Sequence, residues 1–220
     1  HNSDRRQRQM CIRDRTPANI PFVILGTGLL WFGWFGFNAG SAFSAGADAV
    51  LAFANTNLAS ATAMITWIFF DRYRDRKMSA VGACIGAVVG LVAITPAAGF
   101  VSLGDSVLIG FVASLISNVA IDAFHKSGRV DDTLDVFASH GVGGMVGMLL
   151  TGVFAAEVGL TSGGFETFGK HVAALVAVAV GAFTLSYGLF ALVNALIPMR
   201  VTSKQEERGL DDSQHGEKVH

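Results

Sequence analysis

Long apolar stretches separated by short polar segments dominate this chain. A helix needs about 20 apolar residues to cross a hydrocarbon core of ~30 Å. Five of the six stretches reach that length, and the fourth is short unless residues 101–103 extend it. Because unpaired peptide groups are costly in lipid, each is predicted to be an α-helix. The six predicted spans are Phe22–Ser44, Ala49–Phe70, Met78–Phe100, Ser106–Ile121, Val136–Ala156 and Val172–Met199.

The alternative is a large soluble all-α core. Single apolar stretches of about 10 to 14 residues would fit that interpretation, but six longer ones in series do not. The composition agrees, with 51% hydrophobic and 15% charged residues. We therefore expect an all-α polytopic membrane protein with six transmembrane helices.

The cations indicate an orientation. If six spans alternate, one side of the membrane carries ten Lys and Arg residues, whereas the opposite loops contain only Lys170. By the positive-inside rule the cation-rich side is cytoplasmic, and so is the C-terminus. The ten are Arg72, Arg74, Arg76, Lys77, Lys126, Arg129, Arg200, Lys204, Arg208 and Lys218.

The chain divides into three parts by composition. Residues 1–16 are a polar, basic leader, which is either disordered, an artificial scar or a native cytoplasmic loop. Residues 17–199 form the membrane domain. Residues 200–220 are a polar C-terminal tail, expected to be cytoplasmic and able to be disordered on its own.

His140 interrupts the apolar, glycine-rich fifth span. A charged side chain at bilayer depth costs ~2.5 kcal/mol or more, which points to a transport pathway, a proton relay or a buried partner. The alternative is a packing histidine bonded to a backbone carbonyl. Gly141, Gly143 and Gly144 leave space beside the ring. Asp131, Asp132 and Asp135 precede the span and are predicted to complement its helix N-terminus.

Span one carries a mixed aromatic and polar stripe. Trp34, Phe37, Asn38 and Ser41 follow helical spacing, so two rings and two small polar groups share one face. For Trp31, a place in an interfacial aromatic belt and a place on this functional face are equally good interpretations.

Several residues predict how the helices pack and end. Pro96 should end or kink span three after Thr95. Asn55–Asn57 is predicted to bond between helices, and His125 and His171 are expected to be solvated. Glycines at four-residue spacing predict close helix crossings, at Gly82/Gly86/Gly90, Gly36/Gly40 and Gly143/Gly147.

Four segments together carry a family resemblance: WFGWFGFNAGS at 31–41, TPAAG at 95–99, RVDD followed by DVFASHGVGG at 129–144, and the tail with Gly209-Leu-Asp and His215-Gly-Glu. In this order they resemble the ammonium transporter (Amt/Mep/Rh) family, specifically its Amt branch. The resemblance implies a fold of eleven membrane helices, the first ten forming two inverted repeats, assembled as a homotrimer with one pore per subunit. Six spans with the first entering from the cytoplasm would match helices six to eleven, the C-terminal half.

The resemblance also implies residue roles. Phe37 is similar to the lower gate phenylalanine, Trp34 to the pore-lining tryptophan beside it, and Ser41 to the serine of the outer recruitment site. His140 resembles the second of two paired pore histidines. Asn38, Asp135 and Thr95 are expected to support them. The expected function is ammonium/ammonia transport through a hydrophobic pore with a histidine relay.

Two alternatives to transport stay open. A membrane-embedded ammonium sensor of the same fold is the alternative, although no kinase or cyclase domain is recognisable after Met199. An inert fragment is a third interpretation. No phosphate loop, metal-ligand spacing or nucleophile elbow is recognisable, so we expect no enzyme, cofactor, metal or nucleic-acid partner. The resemblance implies ammonium/ammonia as substrate, a plasma-membrane location and a PII-type regulatory protein on the cytoplasmic face.

Overall fold

The computed structural model describes residues 17, 19–127 and 132–216, and every regular element in these ranges is helical. The predictions for residues 1–16 and for Asp131 lie outside the described residues. The α-helices are α1 (Ile20–Gly40), α2 (Ala47–Tyr73), α3 (Ala80–Ile94), α4 (Leu103–Ser127), α5 (Gly143–Phe154), α6 (Phe165–Leu196) and α7 (Ser203–Arg208). A π-helical segment, Phe137–Val142, leads into α5; we call it the His140 turn. A 3-10 turn, Leu160–Ser162, and a second π-helical segment, Asp211–His215, complete the set.

Each of the six predicted spans contains one apolar helix. α1, α2, α4, α6 and the His140 turn continued by α5 are long and apolar enough to cross a membrane. α3 is equally apolar but has only 15 residues. The all-α membrane architecture predicted from the hydropathy pattern is therefore confirmed.

The structure confirms that Pro96 ends the helix of span three, and it corrects the bounds of spans three and four. Helix α3 ends at Ile94, where Thr95 and Pro96 begin a run of turns, so the stretch to Phe100 is not helical. Pro96 lacks a backbone donor and cannot continue the α-helical ladder. Helix α4 is not short but has 25 residues, because it begins at Leu103 and continues to Ser127.

The start of α4 is fixed by a reciprocal cap. Ser102 Oγ accepts from the backbone N–H of Asp105 at 3.2 Å, and the Asp105 carboxylate accepts from the N–H and hydroxyl of Ser102. This is the arrangement of a capping box, with Asp in the usual place of Glu. Similar side-chain caps begin α1 at Asn19 and α3 at Ser79.

Glycines bring the central helices into backbone contact, as their spacing predicts. A methyl group at Gly90 of α3 would lie 2.5 Å from the carbonyl oxygen of Ala59 in α2. A methyl group at Gly147 of α5 would overlap the carbonyl oxygen of Ala93 in α3. Gly36 and Gly40 differ: nothing among the described residues lies within 4 Å of a methyl group added there.

A side-chain fork joins α2 to the turns after α3. Asn55 is fully buried, and its amide donates to the carbonyl oxygens of Ala98 at 2.8 Å and Val101 at 2.9 Å. The Asn55–Asn57 segment was predicted to bond between helices, but Asn55 bonds to the turns that follow α3. The fork holds the non-helical segment after Ile94 against α2.

A charged network lies at the C-terminal end of α2. The Arg74 guanidinium donates to Asn118 at 3.0 Å and lies 2.5 Å from the Asp122 carboxylate. Arg76 pairs with the same carboxylate, and Asn118 donates to Asp71 at 2.9 Å. The network fastens the α2–α3 loop to α4, and it includes two of the cations that set the predicted orientation.

The chain forms two compact units, His1–Ala173 and Ala174–His220. The core of the first is formed by buried side chains of α2, α3 and α4, including Val89, Leu91, Ile94 and Ile109. In the second, Arg208 Nε donates to the Asp212 carboxylate at 2.6 Å, and this hydrogen bond raises the pKa of Arg208 above its usual value.

Candidate functional site

Trp34 is attached to α3 through its indole nitrogen. Trp34 Nε1 donates to Thr95 Oγ1 at 2.8 Å, and that hydroxyl donates in turn to the carbonyl oxygen of Leu91 at 2.7 Å. The Trp34 ring meets Phe37 edge to face, with ring centroids 5.9 Å apart. An edge-to-face pair adds ~0.5–1.5 kcal/mol beyond the area it buries. The two predicted aromatic residues therefore form one unit, anchored at Thr95.

Asn38 attaches the same stretch of α1 to α2. It is buried, and its amide donates to Thr56 Oγ1 at 2.9 Å. The Thr56 hydroxyl donates to the carbonyl oxygen of Ala52 at 2.6 Å, which fixes the direction of both bonds. Asn38 thus restrains the backbone between the Trp34 and Ser41 positions.

Ser41 caps the C-terminal end of α1. Its hydroxyl donates to the carbonyl oxygen of Phe37 at 2.6 Å. Both side chains are exposed, Phe37 to 62%. An exposed ring beside an exposed hydroxyl oxygen can receive a small cation through π attraction and hydrogen bonding. We call Trp34, Phe37, Asn38, Ser41 and Thr95 the α1 cluster.

His140 lies on the π-helical turn that bears its name, and its side chain is exposed. Single π-helical turns inside helices are rare and occur frequently at functional sites. Ser139 Oγ lies 2.9 Å from His140 Nδ1. The ring therefore has one nitrogen engaged within its own turn and one, Nε2, with no hydrogen bond among the described residues.

The position of Asp135 suggested that its carboxylate would complement the helix N-terminus. Asp135 does not cap the helix. Its carboxylate lies 2.5 Å from His125 Nε2, and its backbone carbonyl accepts from the N–H and the hydroxyl of Ser139. The expectation that His125 is simply solvated was also wrong, because its exposed ring pairs across ten residues of chain. Asp135 adopts a left-handed backbone with φ of 53°, which aspartate tolerates better than most residues.

Asp132 is the residue that caps this element. Its carboxylate accepts from the backbone N–H of Val136 at 2.9 Å and of Phe137 at 2.7 Å. These are two of the orphan donors that begin any helix, and a carboxylate there also complements the helix dipole. The predicted helix-start role is thus confirmed for Asp132.

Glycines clear the space beside the His140 turn. A methyl group at Gly143 would lie 3.5 Å from Ser117 Oγ and 3.7 Å from Val89, and one at Gly144 would lie 3.6 Å from Val92. Val92 lies one turn before Thr95 on α3. Helix α3 therefore supports both the α1 cluster and the segment that follows His140.

Two contributors to this geometry were not predicted: Ser139, which lies beside His140, and His125, which pairs with Asp135. Thr56 accepts from Asn38 of α1, so the interhelical bond predicted for the polar segment of span two is confirmed there. No sequence pattern pairs His125 with Asp135, because the two residues do not share a helix.

The polar side chains of the site can be compared with the ligands that metal ions prefer. Within residues 17, 19–127 and 132–216, no group of three His, Cys, Asp or Glu side chains could hold a metal ion. The polar atoms of the site are hydroxyls, an amide, an indole and an imidazole, which suit hydrogen bonding to a small polar molecule.

The profile of the Ammonium Transporter Family matches residues 3–220. The chain belongs to this family. It is 44% identical over 209 residues to a putative ammonium transporter of Methanothermobacter thermautotrophicus, covering 91% of this chain and 51% of the relative. The relatives of the ammonium transporter family that it matches are thus about twice its length.

Solved structures of the family share the fold. The crystal structure of Candida albicans Mep2 superposes with a TM-score of 0.81 at 37% identity, covering 86% of this chain and 45% of Mep2. A structure described as a sensor Amt protein superposes with a TM-score of 0.83 at 30% identity, covering 90% and 49%. The resemblance in the sequence motifs is confirmed: the chain is a multi-pass membrane protein of the ammonium transporter family, and it covers about half of each relative.

Proposed function

We propose that this chain supplies one wall of a pore that conducts ammonium or ammonia across a membrane. Family membership supports this substrate. The observation that carries the proposal is the His140 ring, which stands exposed on a π-helical turn within an apolar span, with Nε2 free of hydrogen bonds to the described residues. The opposite wall would come from a segment equivalent to the other half of the longer relatives.

The proposed selectivity follows from proton chemistry. Ammonium and potassium are similar in size and charge, so a pore that distinguishes them must use the hydrogen-bond donors and the removable proton of ammonium. A dry path past apolar side chains disfavours any bare cation. A neutral imidazole there can accept a hydrogen bond from ammonium and relay its proton, which potassium cannot supply.

The α1 cluster is proposed to be the outer entrance. Ser41 and the Phe37 and Trp34 rings would receive ammonium through a hydroxyl oxygen and aromatic faces, an attraction of ~1–2 kcal/mol once the cation is desolvated. Thr95 and Asn38 would hold these groups in place through their bonds to Trp34 and Thr56. Phe37 would close the path between conduction events.

We propose the surroundings of the pore from the distribution of cations along the chain and from its family membership. The Arg74 and Arg76 network and the tail from residue 200 would face the cytoplasm, with residues 17–199 as the membrane domain in the plasma membrane. A homotrimer, and a PII-type protein on the cytoplasmic face, are proposed as partners. An ammonium sensor is the second candidate, supported by the superposition on a sensor Amt protein.

The test is a chimera in which residues 17–220 replace the matched half of the Methanothermobacter thermautotrophicus relative, reconstituted in proteoliposomes. We expect methylammonium uptake with no matching flux of potassium or its analogue rubidium. Equal flux of both ions would refute the selectivity. A chimera that assembles like the unmodified relative, binds ammonium and conducts neither ion would favour the sensor.

Two matched histidine variants test the role of His140. His140→Asp is expected to stop methylammonium uptake or to admit potassium, whereas His171→Asp, at the start of α6, should keep the selectivity of the unsubstituted chimera. If His140→Asp conducts like the unsubstituted chimera, His140 is a packing residue.

A further inference from the structure

Ser117 of α4 is fully buried, and its hydroxyl has no hydrogen-bond partner among the described residues. Two other buried serines of the same helix are satisfied. Ser106 donates to the carbonyl oxygen of Leu103 at 2.7 Å, and Ser114 donates to that of Ala63 at 2.8 Å. A buried hydroxyl without a partner costs free energy, so native structures contain few of them. The Ser117 hydroxyl therefore needs a partner.

The Ser117 hydroxyl does not use the acceptor that its own helix offers. Hydroxyls in membrane helices can donate to the carbonyl four residues back, as Thr151 does to Gly147 at 2.7 Å. Ser117 makes no such bond to Ala113. Its oxygen lies instead 3.5 Å from the position of a methyl group on Gly143. The hydroxyl is thus aimed across the helix interface at the start of α5.

The space between α5 and its neighbours widens toward Gly143. At Gly147 an added methyl group would overlap the carbonyl oxygen of Ala93 in α3, so the backbones are in contact there. At Gly143, one turn earlier, the methyl group would make ordinary contacts, at 3.5 Å to Ser117 Oγ and 3.7 Å to Val89. Gly143 is itself buried. A space the size of a methyl group therefore lies inside the helix bundle, in front of the Ser117 hydroxyl.

Water has the size and the chemistry that this space accepts. The atoms nearest to the methyl position are the Ser117 oxygen and one carbon each of Val89 and Val92, so this lining is uncharged and does not suit an ion. A water molecule is smaller than a methyl group and both donates and accepts hydrogen bonds. In an α-helix the carbonyl of Ala113 points toward Ser117 and keeps a second lone pair. Ser117 and Ala113 together supply the two polar partners that a buried water requires.

We propose that Ser117 and Gly143 form a binding site for one buried water molecule, which joins α4 to the start of α5. The water accepts from the Ser117 hydroxyl and donates to the carbonyl of Ala113. Glycine at position 143 then has a different purpose from Gly147: it leaves room for the water, whereas Gly147 lets two backbones touch. The site does not depend on the proposed function, because it follows from the packing of three helices.

A double-mutant cycle tests the site in the full chain, by denaturant titration in mixed micelles. Gly143→Ala displaces the water and leaves the hydroxyl unpaired, so we expect the unfolding equilibrium constant to rise by at least about fivefold. In a chain that already carries Ser117→Ala, the same substitution should change this constant by less than about twofold. Gly169→Ala, which adds a methyl group in open space, measures the effect of replacing any helical glycine. Equal effects of Gly143→Ala in the two backgrounds would overturn the proposal.

Ser117→Ala alone gives a second reading, which stands even if Gly143→Ala does not fold. Loss of a water-bonded hydroxyl should raise the unfolding equilibrium constant by about two- to tenfold, whereas loss of an unpaired hydroxyl should lower it. A Ser117→Ala chain more stable than the parent would therefore contradict the site. A crystal structure of the chimera that shows ordered waters should place one about 2.8 Å from Ser117 Oγ. A dry gap there would overturn the proposal, whether or not the chimera transports methylammonium.

Discussion

His125 Nε2 lies 2.5 Å from Asp135 Oδ1, and this contact joins the end of α4 to the segment just before the His140 turn. Asp135 has a left-handed backbone, a conformation that costs a non-glycine residue ~1–3 kcal/mol unless its surroundings hold it. The pair is one of the restraints that hold Asp135 in this conformation. It also connects an ionisable side chain of α4 to the segment that carries His140.

We therefore expect His125→Ala to loosen the His140 turn. Loss of a hydrogen bond to a charged group costs ~1.5–3 kcal/mol, which corresponds to at least about tenfold faster amide exchange where opening of the turn limits exchange. Hydrogen exchange of residues 137–142 in the reconstituted chain measures this. His125→Gln should retain part of the protection, because its amide can still donate to Asp135. Equal exchange in the Ala variant and the parent chain would show that the pair restrains nothing.

Thr95→Val is expected to release the Trp34 ring. The substitution preserves volume but removes the acceptor of the indole N–H, at a cost of ~1–3 kcal/mol if the donor stays unpaired. The indole 1H–15N signal of Trp34 should shift, and methylammonium uptake by the chimera should fall several-fold. Thr27→Val is the control, since its hydroxyl bonds only to Val23 within α1. Thr95→Ser should restore both readouts; an unmoved indole signal in Thr95→Val contradicts the assignment.

Gly147→Ala should destabilise the first unit. The added methyl group would overlap the carbonyl oxygen of Ala93, and backbone cannot yield as a flexible side chain does. Overpacking of this kind costs ~1–3 kcal/mol. Gly169→Ala, in α6 with open space around the added atom, should be neutral or stabilising by up to ~1 kcal/mol. Denaturant titration in mixed micelles compares the two. Equal stabilities would mean that α3 and α5 are not in backbone contact.

Asp122→Asn is expected to destabilise the end of α2. The carboxylate is 14% exposed and faces both Arg74 and Arg76, so its neutralisation leaves two cations without their main partner. We expect a loss of ~1–3 kcal/mol in the free energy of unfolding. Glu166→Gln is the matched control, because its pair with Lys170 is largely exposed and exposed ion pairs contribute little to stability. A loss no greater than that of the control would show that the network contributes little.

The helical spans could be predicted because hydropathy and length determine them almost alone. Their ends could not, since polar residues continue a helix wherever another element satisfies them. Asp122 and His125 extend α4 beyond Ile121 for this reason, through Arg74 and Asp135. The end of α3 is the exception, because Pro96 predicted it within a stretch that hydropathy alone treated as continuous.

Residues of the candidate site could be predicted where their spacing along one helix, or their contrast with apolar neighbours, marks them in the sequence. Trp34, Phe37, Asn38 and Ser41 recur at helical intervals, and His140 stands out against apolar neighbours. The contacts that orient them are different. Thr95 lies 61 residues from Trp34, and hydrogen bonds of Asp132, Asp135 and Ser139 surround the π-helical turn at His140. Such contacts follow from the tertiary fold, which no local pattern specifies.

The fork made by Asn55 has a mechanical consequence for the proposed entrance. Because Ala98 and Val101 are both tied to α2, the segment that follows Thr95 cannot slide along the membrane normal independently of that helix. Thr95 in turn fixes the height of the Trp34 ring. At the proposed entrance, opening is therefore expected to come from rotation of the Phe37 side chain and not from a displacement of whole helices.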